Sequence, residues 1–149
     1  MYLSICSEIE VVLKEICIKI DSNSKANNIH QCREAITKEF ECFSQQQILC
    51  TKFSFTFTPW SHWGKEETPK WWRHYNNVKH NRNEHYNKAT LANVLEALSA
   101  LYMCNLYLVF IEHKQLNPTF CFNIGDVVQH APIQLDFYRI TDLMAYMHE

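Results

Sequence analysis

At 149 residues the chain has the length of one ordinary domain, and 47% apolar against 20% charged residues gives it material for a core. Two glycines and four prolines are too few for a sandwich or barrel of many short strands, so long helices are expected. The net charge of −2 excludes a molecule that is basic throughout, yet six of its fourteen lysines and arginines fall between positions 65 and 88 against three acids, leaving that window at +3 and the rest at −5.

Residues 2–20 place Leu3, Ile5, Ile9, Val12, Leu13, Ile16 and Ile20 at helical spacing, with Glu8, Glu10, Lys14 and Lys19 on the polar side. A polar turn at 21–28 leads to a second amphipathic helix over 29–44, with Ile29, Cys32, Ile36, Phe40 and Phe43 on one stripe. The period then falls to two: residues 51–58 alternate phenylalanine with small or polar residues, as a half-buried strand does, and Pro59 ends it. A loop at 60–67 carries Trp60, His62 and Trp63. Thr68 and Pro69 read as N-cap and first residue of a third helix reaching about His80. The longest helix is expected from Tyr86 or Asn87 to His113, apolar over much of its girth and central to the core. Asn117-Pro118 stops it. The tail reads as short extended pieces around Phe120/Phe122 and Leu135/Phe137, with a short helix over Ile140–Met147. The whole is expected to be one domain, with a helical core at 2–44 and 68–113, a strand-and-loop insertion at 47–67 and a C-terminal extension at 114–149.

Seven cysteines, an odd number without a CxxC pair, suit reduced thiols of an intracellular protein better than a disulfide framework or a closed zinc site. The N-terminus lacks the basic start of a signal peptide, and the apolar run Ala97–Ile111 falls short of the ~20 residues that span a bilayer. A cytoplasmic protein without a membrane segment is therefore expected.

Chemistry concentrates in residues 71–85. On a helix, Trp71, Trp72, Tyr75 and Val78 share one arc, and Arg73, Asn76, Asn77 and His80 the opposite one. Arg73 and His80 are two turns apart, nearly in line, with Asn77 between. A guanidinium grips a phosphate in two-point contact, and an imidazole moves protons near neutral pH. Together they suffice for RNA cleavage in which the 2′-hydroxyl attacks the neighbouring phosphate. Trp60, Trp63 and Tyr86 are candidate base-stacking rings. The plainer readings are that the aromatic arc is core, that Asn76 and His80 hydrogen-bond to helix ends or loop carbonyls, and that Arg82 is an ion-pair partner of Glu8 or Glu10. No histidine spacing, Gly-rich loop or HExxH pattern points to a metal, nucleotide cofactor or other cofactor.

The run Arg73-His74-Tyr75-Asn76-Asn77-Val78-Lys79-His80, an arginine followed by a polar residue and then a histidine after a gap of six, resembles the signature of the HEPN superfamily of helical-bundle ribonucleases. The wider pattern WW-x-x-YN-x-VKH-x-R resembles that of uncharacterised bacterial proteins associated with it. Covering residues 1–113, the resemblance implies a mainly α, HEPN-like bundle with a small extended insertion and an irregular tail. It implies a metal-independent endoribonuclease acting as a toxin or phage-defence effector, homodimeric, with RNA as substrate and an antitoxin or regulatory protein as a further partner. Arg73 and His80 would be catalytic, and His74, Asn77, Lys79 and Arg82 would hold substrate. The sequence departs from the pattern in placing the motif at the start of its helix, with a competing Lys79-His80-Asn81-Arg82. The alternative is a non-catalytic helical module for a protein or nucleic acid, with residues 75–82 joining helices.

Overall fold

The computed structural model describes residues 1–50 and 54–116 and the backbone of 133–134, with side chains described as far as Glu112. It is mainly helical, with a small sheet: α1 Tyr2–Ile20, α2 Ile29–Glu39, β1 Ile48–Cys50, β2 Phe55–Phe57, α3 Lys70–His80, α4 Arg82–His85, α5 Leu91–Leu116 and β3 Ile133–Gln134. Short 3-10 turns at Phe43–Gln45, Ser61–Lys65 and Tyr86–Lys88 join them.

The bundle forms around α1 and α5, its most extensive helix pair. Cys6, Ile9, Leu13, Ile16 and Cys17 recur at helical spacing along α1 and are buried, and so are Ala97, Ala100, Met103, Cys104 and Tyr107 along α5. The small residues among them let helix axes approach. Asn28 caps α2 by accepting from the backbone N–H groups of His30 and Gln31, both at 3.1 Å. Cys6, Cys17, Cys32, Cys50 and Cys104 are free thiols.

Three boundaries depart from the sequence expectation, each for a local reason. Helix α2 stops at Glu39 instead of 44 because Phe43 turns inward, its ring 5.5 Å from Trp63 and 4.8 Å from Tyr107. Burying one such ring outweighs the few tenths of a kcal/mol that separate ordinary helix propensities. Helix α3 begins at Lys70, one residue late: Pro69 stands at the cap position, where its carbonyl accepts from Arg73 N–H at 3.1 Å, and no side chain caps. Helix α5 begins at Leu91 rather than at 86 or 87, since Thr90 caps it through its hydroxyl to Asn93 N–H and its carbonyl to Val94 N–H.

The expected single strand is the return arm of a hairpin. β1 pairs antiparallel with β2, Ile48 opposite Phe57 and Cys50 opposite Phe55, and parallel with β3. Ser54, with φ 54°, leads into β2. Phe53 and the tail readings at Phe120/Phe122, Leu135/Phe137 and Ile140–Met147 lie outside the described residues.

The expectation that no segment reaches spanning length needs correcting. Leu91–Glu112 is a 22-residue segment of mean hydropathy 1.8, long and apolar enough to cross a membrane by length and composition. In this fold it is the helix against which α1 lies.

Candidate functional site

An unbroken path of aromatic rings positions α3. Trp72 meets Tyr75 at 5.3 Å and Trp71 at 5.5 Å; Trp71 meets Trp60 at 5.2 Å; Trp60 meets Trp63 at 4.2 Å; and Trp63 stacks on Phe43. Trp71, Trp72, Tyr75 and Val78 are all buried, as the helical arc requires. Trp60 and Trp63 are buried too, which removes them as base-stacking platforms. Two hydrogen bonds fix the start of the helix: Trp71 Nε1 donates to the Pro59 carbonyl at 2.9 Å, and the Tyr2 hydroxyl donates to the Trp71 carbonyl.

With the aromatic arc anchored, the opposite arc faces outward. Arg73 and His80 are exposed, Asn76 and Asn77 half-buried. Among the described residues Arg73 and His80 have no side-chain hydrogen bond or ion pair. The suggested bonds from Asn76 and His80 to helix ends or loop carbonyls are likewise not made there. Arg82 does not pair with α1; it is exposed, with its guanidinium 5.8 Å from the centre of the exposed Tyr86 ring. The acid on α1 is taken by Lys79, whose ammonium lies 3.0 Å from Glu10, while the Tyr75 hydroxyl donates to the same carboxylate at 3.1 Å. Tyr75 first, then Glu10, raises the Lys79 pKa.

His74 lies elsewhere. It lines a cleft of about 470 Å³ between the 3-10 turn at Ser61–Lys65, the first turns of α3 and the start of α5, together with His62, Lys70, Lys88, Asn93 and Glu96, with Trp71 and Pro59 as apolar wall. Neither Arg73 nor His80 lines that cleft. The structure therefore brings His74 together with Asn93 and Glu96 of α5, which no sequence motif marks, and leaves the Arg73–His80 pair apart from it on the outer surface.

The polar order inside the cleft can be derived. Asn93 Nδ2 lies 2.7 Å from the Lys88 carbonyl and 2.8 Å from His74 Nδ1. A carbonyl only accepts, so the amide NH₂ must face Lys88, and its second hydrogen then points at Nδ1. The Nδ1 atom is an acceptor and the ring proton sits on Nε2. Burial, then the charges of Lys70 and Lys88, lower the His74 pKa, so the ring is neutral at pH 7 and offers an N–H. The Glu96 carboxyl has no partner among the described residues, and burial raises its pKa. No group of three His, Cys, Asp or Glu side chains among the described residues is placed to hold a metal ion.

Comparison with protein-family models, with curated proteins and with solved structures finds no match to this chain.

Proposed function

We propose that this protein binds single-stranded RNA across the outer face of α3 and cleaves its backbone in the HEPN manner, without a metal ion. The observation that carries this reading is the exposed Arg73, free of acidic partners among the described residues, with His80, equally exposed and unpaired there, two turns along the same helix. Such a face offers a backbone phosphate a permanent cation and an imidazole.

The chemistry is transesterification. The 2′-oxygen bonds to phosphorus, its proton passes to an imidazole, the bond to the 5′-oxygen breaks, and that oxygen leaves with a proton. The products are a 2′,3′-cyclic phosphate and a 5′-hydroxyl. Arg73 stabilises the extra phosphate charge and His80 exchanges the proton. Seven residues at 1.5 Å per residue separate them by roughly 10 Å along one helix, too far to serve one phosphate. The reading therefore requires two copies that set Arg73 of one beside His80 of the other. A homodimer acting as a toxin or defence effector, held in check by an antitoxin or regulatory protein, belongs to this proposal, as does a cytoplasmic location compatible with free cysteines.

A second reading has its own support. The Tyr75–Glu10–Lys79 contacts make part of the 75–82 segment a joint between α1 and α3, as a non-catalytic binding module would use it.

Incubating the protein with single-stranded RNA in EDTA separates the two. Cleavage leaving cyclic phosphate ends, reduced roughly 100-fold or more by Arg73→Ala and by His80→Ala, is expected. Absence of cleavage, or cleavage indifferent to both changes, removes the nuclease reading and leaves the module.

A further inference from the structure

The cleft beside α3 holds more than a phosphate would need. At one side stand Lys70, Lys88 and the fixed imidazole of His74, all suited to an anion. One helical turn beyond Asn93 on α5, Glu96 lines the same cleft, half-buried, with no ion pair or hydrogen bond to its carboxyl among the described residues. A half-buried acid that lines the cleft without a partner is costly to ionise unless a ligand completes it, because its burial is not offset by a neighbouring donor. The volume of about 470 Å³ lies within the roughly 300–1,000 Å³ of small-molecule sites.

A ligand that satisfies both sides must carry an anion and, some ångströms away, paired N–H donors. We infer that this cleft is a guanine-nucleotide subsite: Lys70, Lys88 and the His74 Nε2–H hold the phosphate, and the Glu96 carboxylate accepts from N1–H and the exocyclic amine of the base. Guanine is selected by donor geometry. It alone among the four RNA bases presents two adjacent N–H donors on its Watson–Crick edge, and a carboxylate presents two adjacent acceptors. Adenine and cytosine place a ring acceptor beside their amine, where it repels a carboxylate oxygen; uracil flanks its single N–H with two carbonyls. The inference rests on the RNA reading for its biological substrate, in which the cleft would choose the base next to the cleaved bond. Mononucleotide binding itself does not depend on catalysis.

Isothermal titration with GMP, AMP, guanosine and inorganic phosphate tests it on the intact chain. GMP is expected to bind roughly tenfold or more tighter than AMP, the scale of hydrogen bonds to a charged group. Glu96→Gln is expected to abolish the preference for GMP, weakening GMP while AMP binds no more weakly than before. Joint Lys70→Met and Lys88→Met is expected to weaken both nucleotides alike, with the circular-dichroism spectrum retained. Equal binding of GMP and AMP, or a GMP preference that survives Glu96→Gln, overturns the guanine assignment. Binding of inorganic phosphate as tight as GMP does the same, and no binding of any nucleotide overturns the subsite altogether. Arg73→Ala and His80→Ala, expected to reduce cleavage roughly 100-fold or more, should bind GMP as the native chain does. A chain that binds GMP but cuts no RNA thus sinks the nuclease reading alone, and one that cuts RNA without binding GMP sinks this one alone.

Discussion

The Asn93 carboxamide nitrogen lies 2.8 Å from Nδ1 of His74, and the Lys88 carbonyl, 2.7 Å from that nitrogen, settles which end of the amide faces the ring. The consequence is a single neutral tautomer with its proton on Nε2. Nitrogen-15 NMR of the histidine rings should show His74 as the Nε2–H form, and Asn93→Ala should turn it into a mixture of tautomers. A native Nδ1–H signal would mean that Nδ1 donates rather than accepts, and would remove Nε2–H of His74 as the donor in the cleft.

His74 also sets a pH dependence. Its pKa in the folded chain is lowered by burial and by Lys70 and Lys88, so between that value and about 6.5 the unfolded chain binds more protons than the folded one. Stability from this group is therefore complete above about pH 6.5 and falls as the pH drops through the window. Urea unfolding of the native chain and of His74→Gln at pH 7.5 and 5.5 reads it. The native chain should lose more stability than the variant on acidification, and an equal loss would show that the ring titrates as a free histidine.

Glu96 has the opposite sign. Burial raises its pKa, so the folded chain holds its proton more tightly and gains stability from this group as the pH falls toward the ordinary carboxyl value. At neutral pH the ionised carboxylate is a liability that a ligand would relieve. Glu96→Gln is expected to raise the melting temperature at pH 7.5 and to match the native chain near pH 4. A loss of stability at pH 7.5 would mean that the carboxylate already has a partner.

Lys79 separates structure from RNA contact. Its bond to Glu10 joins α3 to α1 at the surface, with side-chain exposures of 44% and 31%. Exposed pairs of this kind contribute about 0–1 kcal/mol. Lys79→Met should cost no more than that, with the cost shrinking in high salt, and should weaken RNA binding less than Arg73→Ala does. An RNA defect equal to that of Arg73→Ala would return Lys79 to the binding face.

Helical periodicity made much of the fold legible: α1 runs over Tyr2–Ile20 as its apolar spacing requires, and Trp71, Trp72, Tyr75 and Val78 share a buried arc. What was not legible depended on partners distant in sequence. Nothing around Phe43 announces that its ring will leave a helix for Trp63 and Tyr107. The cleft was illegible for a different reason. The 86–113 segment read as a core helix from its leucines, and Asn93 and Glu96, polar residues three apart on that helix, were the available sign that one side of its first turns faces something other than core. Thr90 likewise marked the true start of α5 as a capping residue.

Trp60 and Trp71 offer a final comparison, because burial is nearly the same and polar satisfaction is not. Trp71 is 3% exposed and its indole N–H donates to Pro59; Trp60 is fully buried, and its N–H has no acceptor among the described residues. Replacing either by phenylalanine removes one ring's worth of packing and leaves a cavity of similar size. Trp71→Phe also strips the Pro59 carbonyl of its donor, whereas Trp60→Phe removes a donor that has no acceptor there. Trp71→Phe should therefore be the more destabilising by about 1 kcal/mol or more in urea unfolding. Equal losses would mean that the Trp60 N–H is satisfied after all, and a larger loss at Trp60 would make the packing of Trp60 against Phe43, Trp63 and Trp71 the dominant support of α3.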